Sequence, residues 1–299
     1  GPGCPVCVTQ VGFIDEAIYL ALERQVTICT FGDLVRVPGT NMSLAGAREK
    51  GAKIRIVYSP VDAKEYAKEH PKEQVTFLSV GFETTTPSAC LSVKKAREEG
   101  LTNYSILTAN KTMPQAYEAL KGSADIFLYP GHVNAITGTK LCEELAKEGV
   151  SGVVAGFTAK ELLTALAVTL VRFQEGKPFF VNCYPRVVTR EGSREAQRLV
   201  NELMEGCDSE WRGLGIIPGS GMQLREEWEA YDARKKYNMP KIEGKANPAC
   251  RCGDVLQGKC KPSDCKVFGK VCTPQHPVGA CMVSGEGACS AYYMYDTRG

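Results

Sequence analysis

Half of the cysteines in this chain lie in one short segment that has little else to hold it together. The 299 residues include 14 cysteines, and seven of them fall between Cys250 and Cys289. That segment is rich in Gly and Pro and lacks hydrophobic periodicity, so apolar burial alone cannot stabilise it. Secreted disulfide scaffolds are small and poor in core residues, whereas the rest of this chain has the pattern of a large apolar core. We therefore expect reduced thiols that hold a metal or a cluster, in a cytoplasmic protein.

Short β-branched runs alternate with amphipathic stretches between residues 26 and 217. Each run has about four to seven residues and is apolar at nearly every position, which is typical of strands covered on both faces. The predicted strands are 26–30, 54–58, 75–80, 104–108, 126–129, 152–155 and 179–183. The predicted helices are 13–24, 62–69, 88–100, 114–122, 139–149 and 158–175. This alternation predicts an α/β fold with parallel sheets and right-handed crossovers.

Polar loops recur after the predicted strands at similar intervals, at residues 81–87, 130–138 and 218–221. This recurrence favours two parallel sheets over one larger sheet. We predict a first α/β domain over residues 1–87, a second over 88–222 and a small third domain over 223–299. The third begins with a highly charged stretch, 225–237, which is predicted to form a solvated helix with Asp232 and Lys236 as an i,i+4 pair.

Charge and hydropathy exclude several classes of partner. The formal net charge is +2, which argues against a protein that binds nucleic acid or a membrane surface, because such binding usually needs a concentrated basic face. The longest uncharged apolar stretch, residues 162–171, is half the length needed to cross a bilayer. The first residues do not resemble a signal peptide, so we expect neither secretion nor a membrane partner.

Two cysteine constellations point to metal or redox chemistry. Cys4 and Cys7 form a Cys-x-x-Cys motif just before a predicted helix. Thiols at this spacing can close a disulfide or bind a metal. The alternative interpretation is that they form half of a zinc site. Near the carboxyl end, gaps of 14, 6 and 16 residues separate Cys250, Cys265, Cys272 and Cys289. Zinc prefers shorter gaps, so these four favour a [4Fe–4S] cluster over a structural zinc site. No role is assigned to Cys252, Cys260 or Cys281.

Three strand-end loops carry polar side chains where parallel sheets bind ligands. They cover residues 81–87, 129–134 and 217–221. Glu83 could accept a proton there, and His132 could act as an acid, a base or a ligand. The alternatives are that Glu83 only caps the following helix and that His132 is a turn residue.

Taken together, these stretches resemble the HypD family of [NiFe]-hydrogenase maturation proteins. The resemblance rests on Gly-Pro-Gly-Cys-Pro-Val-Cys at residues 1–7, on residues 81–87, 130–133 and 215–221, on Cys-Thr-Pro at 272–274 and on Cys-Met-Val-Ser-Gly-Glu-Gly-Ala-Cys at 281–289. It implies two related parallel-sheet α/β domains and a small irregular C-terminal iron–sulfur domain. In that domain Cys250, Cys265, Cys272 and Cys289 would bind the [4Fe–4S] cluster.

The resemblance also implies a function. Members of the family serve as scaffolds on which an Fe(CN)₂CO group is assembled, in complex with the chaperone HypC. The HypE–HypF pair delivers cyanide, and the hydrogenase large subunit receives the finished group. Cys4 and Cys7 match the dithiol that exchanges electrons with the cluster, and Glu83, His132 and Glu286 would donate or accept protons near the cleft. The protein would be a redox-active scaffold rather than a conventional turnover enzyme.

One family motif is missing from the sequence. The family has a Cys-Gly-Thr-His motif upstream of the dithiol, and its cysteine is the expected iron ligand. The sequence begins inside the next motif, at Gly1, so we expect it to be incomplete at the amino end. Two rival functions remain open: a stand-alone iron–sulfur thiol–disulfide oxidoreductase, and a structural zinc-binding interaction module.

Overall fold

Seven parallel strands form the two main sheets of the protein. The computed structural model describes residues 4–296. The parallel strands are β1 (Thr27–Thr30), β2 (Ile54–Ile56), β3 (Val75–Gly81), β4 (Tyr104–Asn110), β5 (Ile126–Pro130), β6 (Ser151–Ala155) and β7 (Phe180–Asn182). All seven coincide with the strands expected from the sequence, which confirms the α/β class and the parallel sheets.

The first sheet has the strand order β2-β1-β3-β4. β3 and β4 pair over seven residues, from Val75 opposite Tyr104 to Gly81 opposite Asn110. Every residue of both strands is buried, because helices cover both faces of the sheet and leave no side for polar side chains. The sheet continues past residue 87, where the sequence analysis placed a domain boundary.

The second sheet is smaller, with the order β5-β6-β7. It begins after β4, and its own apolar core includes Tyr129, Val154 and Tyr184. The core of the first sheet is separate and includes Ile28 and Leu78. The existence of two parallel sheets agrees with the sequence analysis, whereas the division into domains 1–87, 88–222 and 223–299 stays a prediction.

A two-stranded antiparallel hairpin follows the second sheet and was not foreseen. β8 (Met204–Trp211) pairs with β9 (Gly215–Leu224). The prediction of a strand-end loop at residues 218–221 was wrong, because those residues lie inside β9. Lys111, just after β4, ties the hairpin to the first sheet: its Nζ donates to Ser209 Oγ at 2.7 Å and to the Glu210 carbonyl at 2.6 Å.

Thirteen α-helices connect and cover the strands within residues 4–296. They are α1 (Pro5–Val8), α2 (Val11–Glu23), α3 (Leu44–Glu49), α4 (Pro60–Glu69), α5 (Thr86–Glu98), α6 (Met113–Ala119), α7 (Gly131–Thr137), α8 (Lys140–Lys147), α9 (Ala159–Gln174), α10 (Arg194–Leu203), α11 (Ala233–Lys236), α12 (Cys252–Leu256) and α13 (Ala288–Tyr295). Short 3₁₀ helices cover Gly32–Arg36, Glu226–Tyr231, Pro262–Asp264 and Ala280–Met282. In this described part of the chain, no helix combines the length and apolar character that a membrane span needs.

Helix α9 leaves its apolar side chains largely uncovered. Its leucines recur at helical spacing, as the sequence indicated, yet Ala165 is its one buried residue. Leu163 and Leu170 are each 66% exposed. The hydrophobic period therefore predicted the helix correctly but not its burial.

The prediction of one solvated helix over residues 225–237 was wrong. The stretch is divided into the 3₁₀ helix Glu226–Tyr231 and the four-residue α11, with Asp232 between them. Trp228 and Ala233 are buried, and Arg234 forms an ion pair with Glu16 at 2.7 Å. The charges fasten this segment to the first sheet, because Arg234 also donates to the Thr108 carbonyl.

Candidate thiol centre

Cys4 and Cys7 lie at the two ends of the short helix turn α1. Cys4 precedes the helix, and its Sγ accepts a hydrogen bond from the backbone amide of Cys7 at 3.3 Å. Pro5 occupies the first helical position, where its missing N–H costs nothing. Thr9 Oγ1 donates to the Pro5 carbonyl at 2.8 Å and closes the turn. The exposed fractions of Cys4 and Cys7 are only 3% and 0%.

The two thiols differ in acidity. The hydrogen bond with the Cys7 side chain lowers the pKa of Cys4. A hydrogen bond with Cys281 acts to lower the pKa of Cys7, but the hydrogen bond to Cys4 and burial together raise that pKa. Cys4 is therefore the sulfur that more readily becomes the thiolate, which is the nucleophilic form in thiol–disulfide exchange.

The four cysteines expected to bind the cluster line one small cavity. Cys250, Cys265, Cys272 and Cys289 surround a narrow cavity of about 10 Å³, and Cys252 and Cys281 complete the ring of thiols. The backbone at Gly279 lies close to Cys250, because a Cβ at this glycine would be only 2.5 Å from Cys250 Sγ. The chain from Cys250 to Cys289 therefore folds around its own thiols, while their role as cluster ligands stays a prediction.

Cys252 and Cys281 connect this cavity to the Cys4–Cys7 pair. Their sulfurs are 2.7 Å apart, and both are buried in one cluster with Cys4 and Cys7. The Cys281 side chain interacts with Cys252, with Cys289 and with Cys7. An unbroken series of sulfur contacts thus runs from the dithiol at the amino end to the cavity near the carboxyl end.

Arg212 places a buried positive charge beside these thiols. It follows β8 and is 8% exposed. Its Nε donates to the Thr9 carbonyl at 2.9 Å and its Nη2 to the Pro38 carbonyl at 3.2 Å. Within residues 4–296 it has no carboxylate partner, while Cys252, Cys250, Cys281 and Cys7 all act on it electrostatically. The guanidinium therefore faces a group of potential thiolates instead of a fixed counter-ion.

The arrangement of the cysteines fits a cluster better than a single ion. In the described residues, no three His, Cys, Asp or Glu side chains converge as ligands of one metal ion. A structural zinc site needs four donors around one point, each at about 2.3 Å for sulfur. A [4Fe–4S] cluster takes one thiolate at each iron, so its ligands stand apart around a cage. Six thiols around a cavity match the second arrangement.

Comparison with known proteins places the chain among relatives with one assigned role. The HypD family model, described as "Hydrogenase formation hypA family", matches residues 1–296. The chain belongs to the HypD family. It is 44% identical to hydrogenase maturation factor HypD of Rhizobium leguminosarum bv. viciae, covering 99% of this chain and 80% of that protein. The corresponding factors of Cupriavidus necator and Escherichia coli K12 are 41% and 40% identical, over 99% of this chain and 81% of theirs.

Glu83 lies away from the thiols of this HypD-family chain. Its Oε1 accepts a hydrogen bond from the Met113 amide at 2.9 Å, whereas its Oε2 is buried without a partner among the described residues. Burial raises the pKa of Glu83 to about 7. It lines a cavity of about 230 Å³ with Thr86 and Thr112, and no cysteine contributes to that lining. The residue is not a helix cap alone, but its proton-transfer role stays a prediction.

His132 and Glu286 are both exposed. The His132 ring stacks on Phe157, with centroids 4.0 Å apart. The Glu286 amide donates to Ser284 Oγ at 3.3 Å, and its carboxylate acts electrostatically on Cys4. The three proton-transfer candidates therefore do not share one cavity, and only Glu286 lies near the dithiol.

Sequence reasoning missed three residues of the HypD-family thiol centre. Cys252 and Cys281 were left without a role, although seven cysteines in 40 residues exceed the four that a cluster needs. Arg212 gave no signal, because nothing in its local sequence distinguishes a buried arginine from a solvated one. Only the fold brings it against the cysteines from the end of a distant hairpin strand.

Proposed function

We propose that this chain acts in [NiFe]-hydrogenase maturation as the scaffold on which the Fe(CN)₂CO group is assembled, and that its own thiols exchange the electrons required. Family membership supports the maturation role. The observation that carries the redox role is the contact series from Cys4 and Cys7 through Cys281 to the thiol-lined cavity. The iron group is cargo in this proposal, and it leaves for the hydrogenase large subunit.

In this proposal Cys250, Cys265, Cys272 and Cys289 hold a [4Fe–4S] cluster. When bound there, the cluster supplies single electrons at low potential. The chain contributes a small cavity, apolar walls such as Val255 and Phe268, and the adjacent Arg212 charge. Burial and nearby charge are the properties by which a protein sets the potential of such a site.

Cys4 and Cys7 have different roles in this proposal, because their thiols differ in acidity. Reduction of a Cys4–Cys7 disulfide takes two electrons and one proton, and leaves Cys4 as the thiolate and Cys7 as the thiol. The lowered pKa of Cys4 and the raised pKa of Cys7 favour this distribution. A thiolate at Cys4 supplies the soft, electron-rich donor that a low-spin iron with CN⁻ and CO ligands requires nearby.

The partners in this proposal are a HypC-type chaperone and the cyanide donor HypE, which acts with HypF. The proposed compartment is the cytoplasm, because the proposal needs cysteines that are available as thiols. Reducing compartments keep thiols in this form.

The rival function, a stand-alone thiol–disulfide oxidoreductase, fits the geometry less well. Attack on a disulfide of another protein requires an accessible sulfur. Cys4 and Cys7 are almost completely buried, whereas they contact the other thiols of the chain directly. Internal electron exchange is the chemistry that this burial favours.

Spectroscopy of anaerobically purified protein tests the cluster. We expect brown protein with broad absorption near 400 nm and an EPR signal after reduction, both lost in Cys250→Ala. The matched control is Cys260→Ala, a half-buried cysteine that does not line the cluster cavity. A colourless protein that contains zinc would contradict the proposal.

Infrared spectroscopy tests the scaffold role. The protein is mixed with a HypC-type chaperone and with HypE and HypF under cyanide-generating conditions, with the Escherichia coli relative as the positive control. We expect CN and CO stretching bands that co-purify with the chain. Bands in the control and none with this chain, together with transfer of electrons to disulfide substrates, would favour the oxidoreductase.

A further inference from the structure

The surface around the cysteine cavity is strongly basic, although the whole chain carries a net charge of only +2. Residues 241–270 contain seven Lys or Arg and only three Asp or Glu. All seven are exposed: Lys241, Lys245, Arg251, Lys259, Lys261, Lys266 and Lys270. The rest of the chain is therefore slightly acidic, and the positive charge is concentrated on this segment, which we call the basic shell.

Most charges of the basic shell have no internal partner. Lys241 pairs with Glu243 at 3.1 Å, and Arg251 pairs with Asp254 at 2.9 Å. Within the described part of the chain, the other five lysines form no ion pair. Exposed lysines without partners add little to stability. Their positive potential remains available to another molecule.

The basic shell surrounds the thiols that would hold the cluster. Lys266 and Lys270 lie between Cys265 and Cys272 in the chain. On another side, Lys245 lines an open cleft of about 730 Å³ that reaches Cys250. That cleft also contains Arg36 and Arg212 and has no Asp or Glu in its lining.

We propose that the basic shell docks a small acidic electron-carrier protein that reduces the thiol centre. This inference rests on the cluster of the proposed function. Electron-transfer encounters bury little area and form through complementary charge, which speeds association and makes it sensitive to salt. Lys266 and Lys270, between Cys265 and Cys272 in the chain, and Lys245, in the cleft that reaches Cys250, provide that charge where an electron must enter.

The electron balance of the encounter is simple. Each carrier arrives in its one-electron reduced form, passes one electron to the centre and leaves oxidised. Two such encounters, with one proton taken from water, convert a Cys4–Cys7 disulfide into one thiolate and one thiol.

A nucleic acid fits the basic shell less well than an acidic protein. Proteins that bind single strands combine basic grooves with exposed aromatic rings on which bases stack. Residues 241–270 contain one aromatic side chain, Phe268. It is half-buried and packs edge-on against Tyr292 and Tyr293, with centroids 5.9 and 6.0 Å apart. Within residues 241–270 the shell thus offers charge with no fully exposed aromatic ring, and the nearest exposed ring is that of Tyr293, packed against Phe268.

Stopped-flow reduction by an acidic plant-type [2Fe–2S] ferredoxin tests the proposal. The variant is K266E/K270E, and the matched control is K160E/K177E, which reverses two exposed lysines near α9 that form no ion pair within residues 4–296. At low salt we expect the second-order rate constant to fall at least tenfold in K266E/K270E and less than twofold in the control. Rising salt should slow the unsubstituted protein and affect K266E/K270E much less.

Reduced methyl viologen, a small cation, separates docking from damage to the centre. It should reduce K266E/K270E at least as fast as the unsubstituted protein and give the same EPR amplitude. Normal reduction by the viologen with no reduction by ferredoxin, or equal loss in both double variants, would overturn the docking proposal alone. Absence of any reducible centre would overturn the proposed function and, with it, this inference. Binding of single-stranded RNA that is lost in K266E/K270E but not in K160E/K177E, without a ferredoxin effect, would assign the shell to nucleic acid instead.

Discussion

Cys252 Sγ and Cys281 Sγ lie 2.7 Å apart, and both cysteines belong at once to the lining of the cluster cavity and to the buried group around Cys4 and Cys7. The two cysteine motifs at opposite ends of the sequence are thereby joined into one centre. Both sulfurs are buried, so solvent and external thiols do not compete for them. Cys281 makes the direct link, because it lines the cavity and its side chain also interacts with Cys7.

Substitution of Cys281 by Ser should interrupt this connection. We expect Cys4 and Cys7 to become reduced at least tenfold more slowly after the centre is reduced with methyl viologen, because a hydroxyl cannot exchange with a disulfide. Alkylation of free thiols in quenched samples, followed by mass spectrometry, measures the fraction of reduced Cys4 and Cys7. Cys260→Ser is the control, and equal rates in both variants would contradict the role of Cys281.

Replacement of Arg212 by Gln should make the Cys4–Cys7 disulfide harder to reduce. The guanidinium favours the form with more negative charge, so its loss stabilises the disulfide relative to the thiolate. We expect at least a tenfold change in the equilibrium constant with glutathione, which is about 30 mV toward negative potential for a two-electron couple. Thiol trapping in glutathione buffers gives this constant.

Arg212→Lys is the matched variant for that measurement, because it keeps the charge but disturbs the bonds to the Thr9 and Pro38 carbonyls. If the charge is what matters, Lys should keep the potential within a threefold change of the equilibrium constant. If Arg212 only holds the backbone, the Lys and Gln variants should both lose stability and show the same potential.

The parallel sheets were predictable because the composition of each short strand already indicates burial on both faces. Strands such as Val75–Gly81 are apolar at almost every position, and only a strand covered on both faces needs that composition. The hairpin β8–β9 was missed because half of its side chains are exposed. Between its buried ends, β8 alternates between half-buried and exposed positions around polar residues such as Asp208 and Glu210, and Pro218 and Gly219 in β9 resemble a turn.

The candidate site was predictable in its chemistry but not in its geometry. The four cysteines chosen by their gaps do share a cavity, but Cys252 and Cys281 line it too, so the choice of ligands stays a prediction. The sequence could not show that Glu83 lines a separate cavity, because strand-end loops from one sheet were expected to meet. Its neighbours in that cavity, such as Gln197 and Asn201, come from α10. Long-range packing of that kind leaves no trace in the local pattern.

Glu83 should make the protein less stable as pH rises. Its pKa is about 7 in the folded state and about 4.3 in an unfolded chain, so the folded state binds more protons between these values. The free energy of unfolding therefore falls as pH rises through this window, and above it the full loss remains without further change with pH. Glu83→Gln should remove this fall, which amounts to at most about 4 kcal/mol.

Urea unfolding at pH 5, 6, 7 and 8 measures the effect of Glu83. The excess stability of the Gln variant over the unsubstituted protein should be smallest at pH 5, near the lower end of the window, and largest at pH 8. Glu118→Gln, at an exposed position on α6, is the control and should follow the unsubstituted protein. Parallel curves for Glu83→Gln and the unsubstituted protein would show that the buried carboxyl is not protonated near neutral pH.

The contact between Gly213 and Gly253 should be required for the cysteine segment, residues 250–289, to pack against the β8–β9 hairpin. Gly213 lies in the loop between β8 and β9 with φ +78°, and a Cβ there would press on the backbone of Gly253 in α12. Gly215 has nearly the same conformation, φ +80°, but no atom lies within 4 Å of its Cβ position. Alanine at either position bears the cost of a left-handed backbone, about 1–2 kcal/mol.

The comparison of Gly213→Ala with Gly215→Ala therefore isolates the contact. Gly253 follows Cys252 directly, so a displaced α12 would also shift a thiol of the cluster cavity. We expect Gly213→Ala to be less stable than Gly215→Ala by about 1–3 kcal/mol in urea unfolding, and to retain less iron and sulfide per chain. Equal stability and equal iron content in the two variants would show that the cysteine segment does not depend on this close approach.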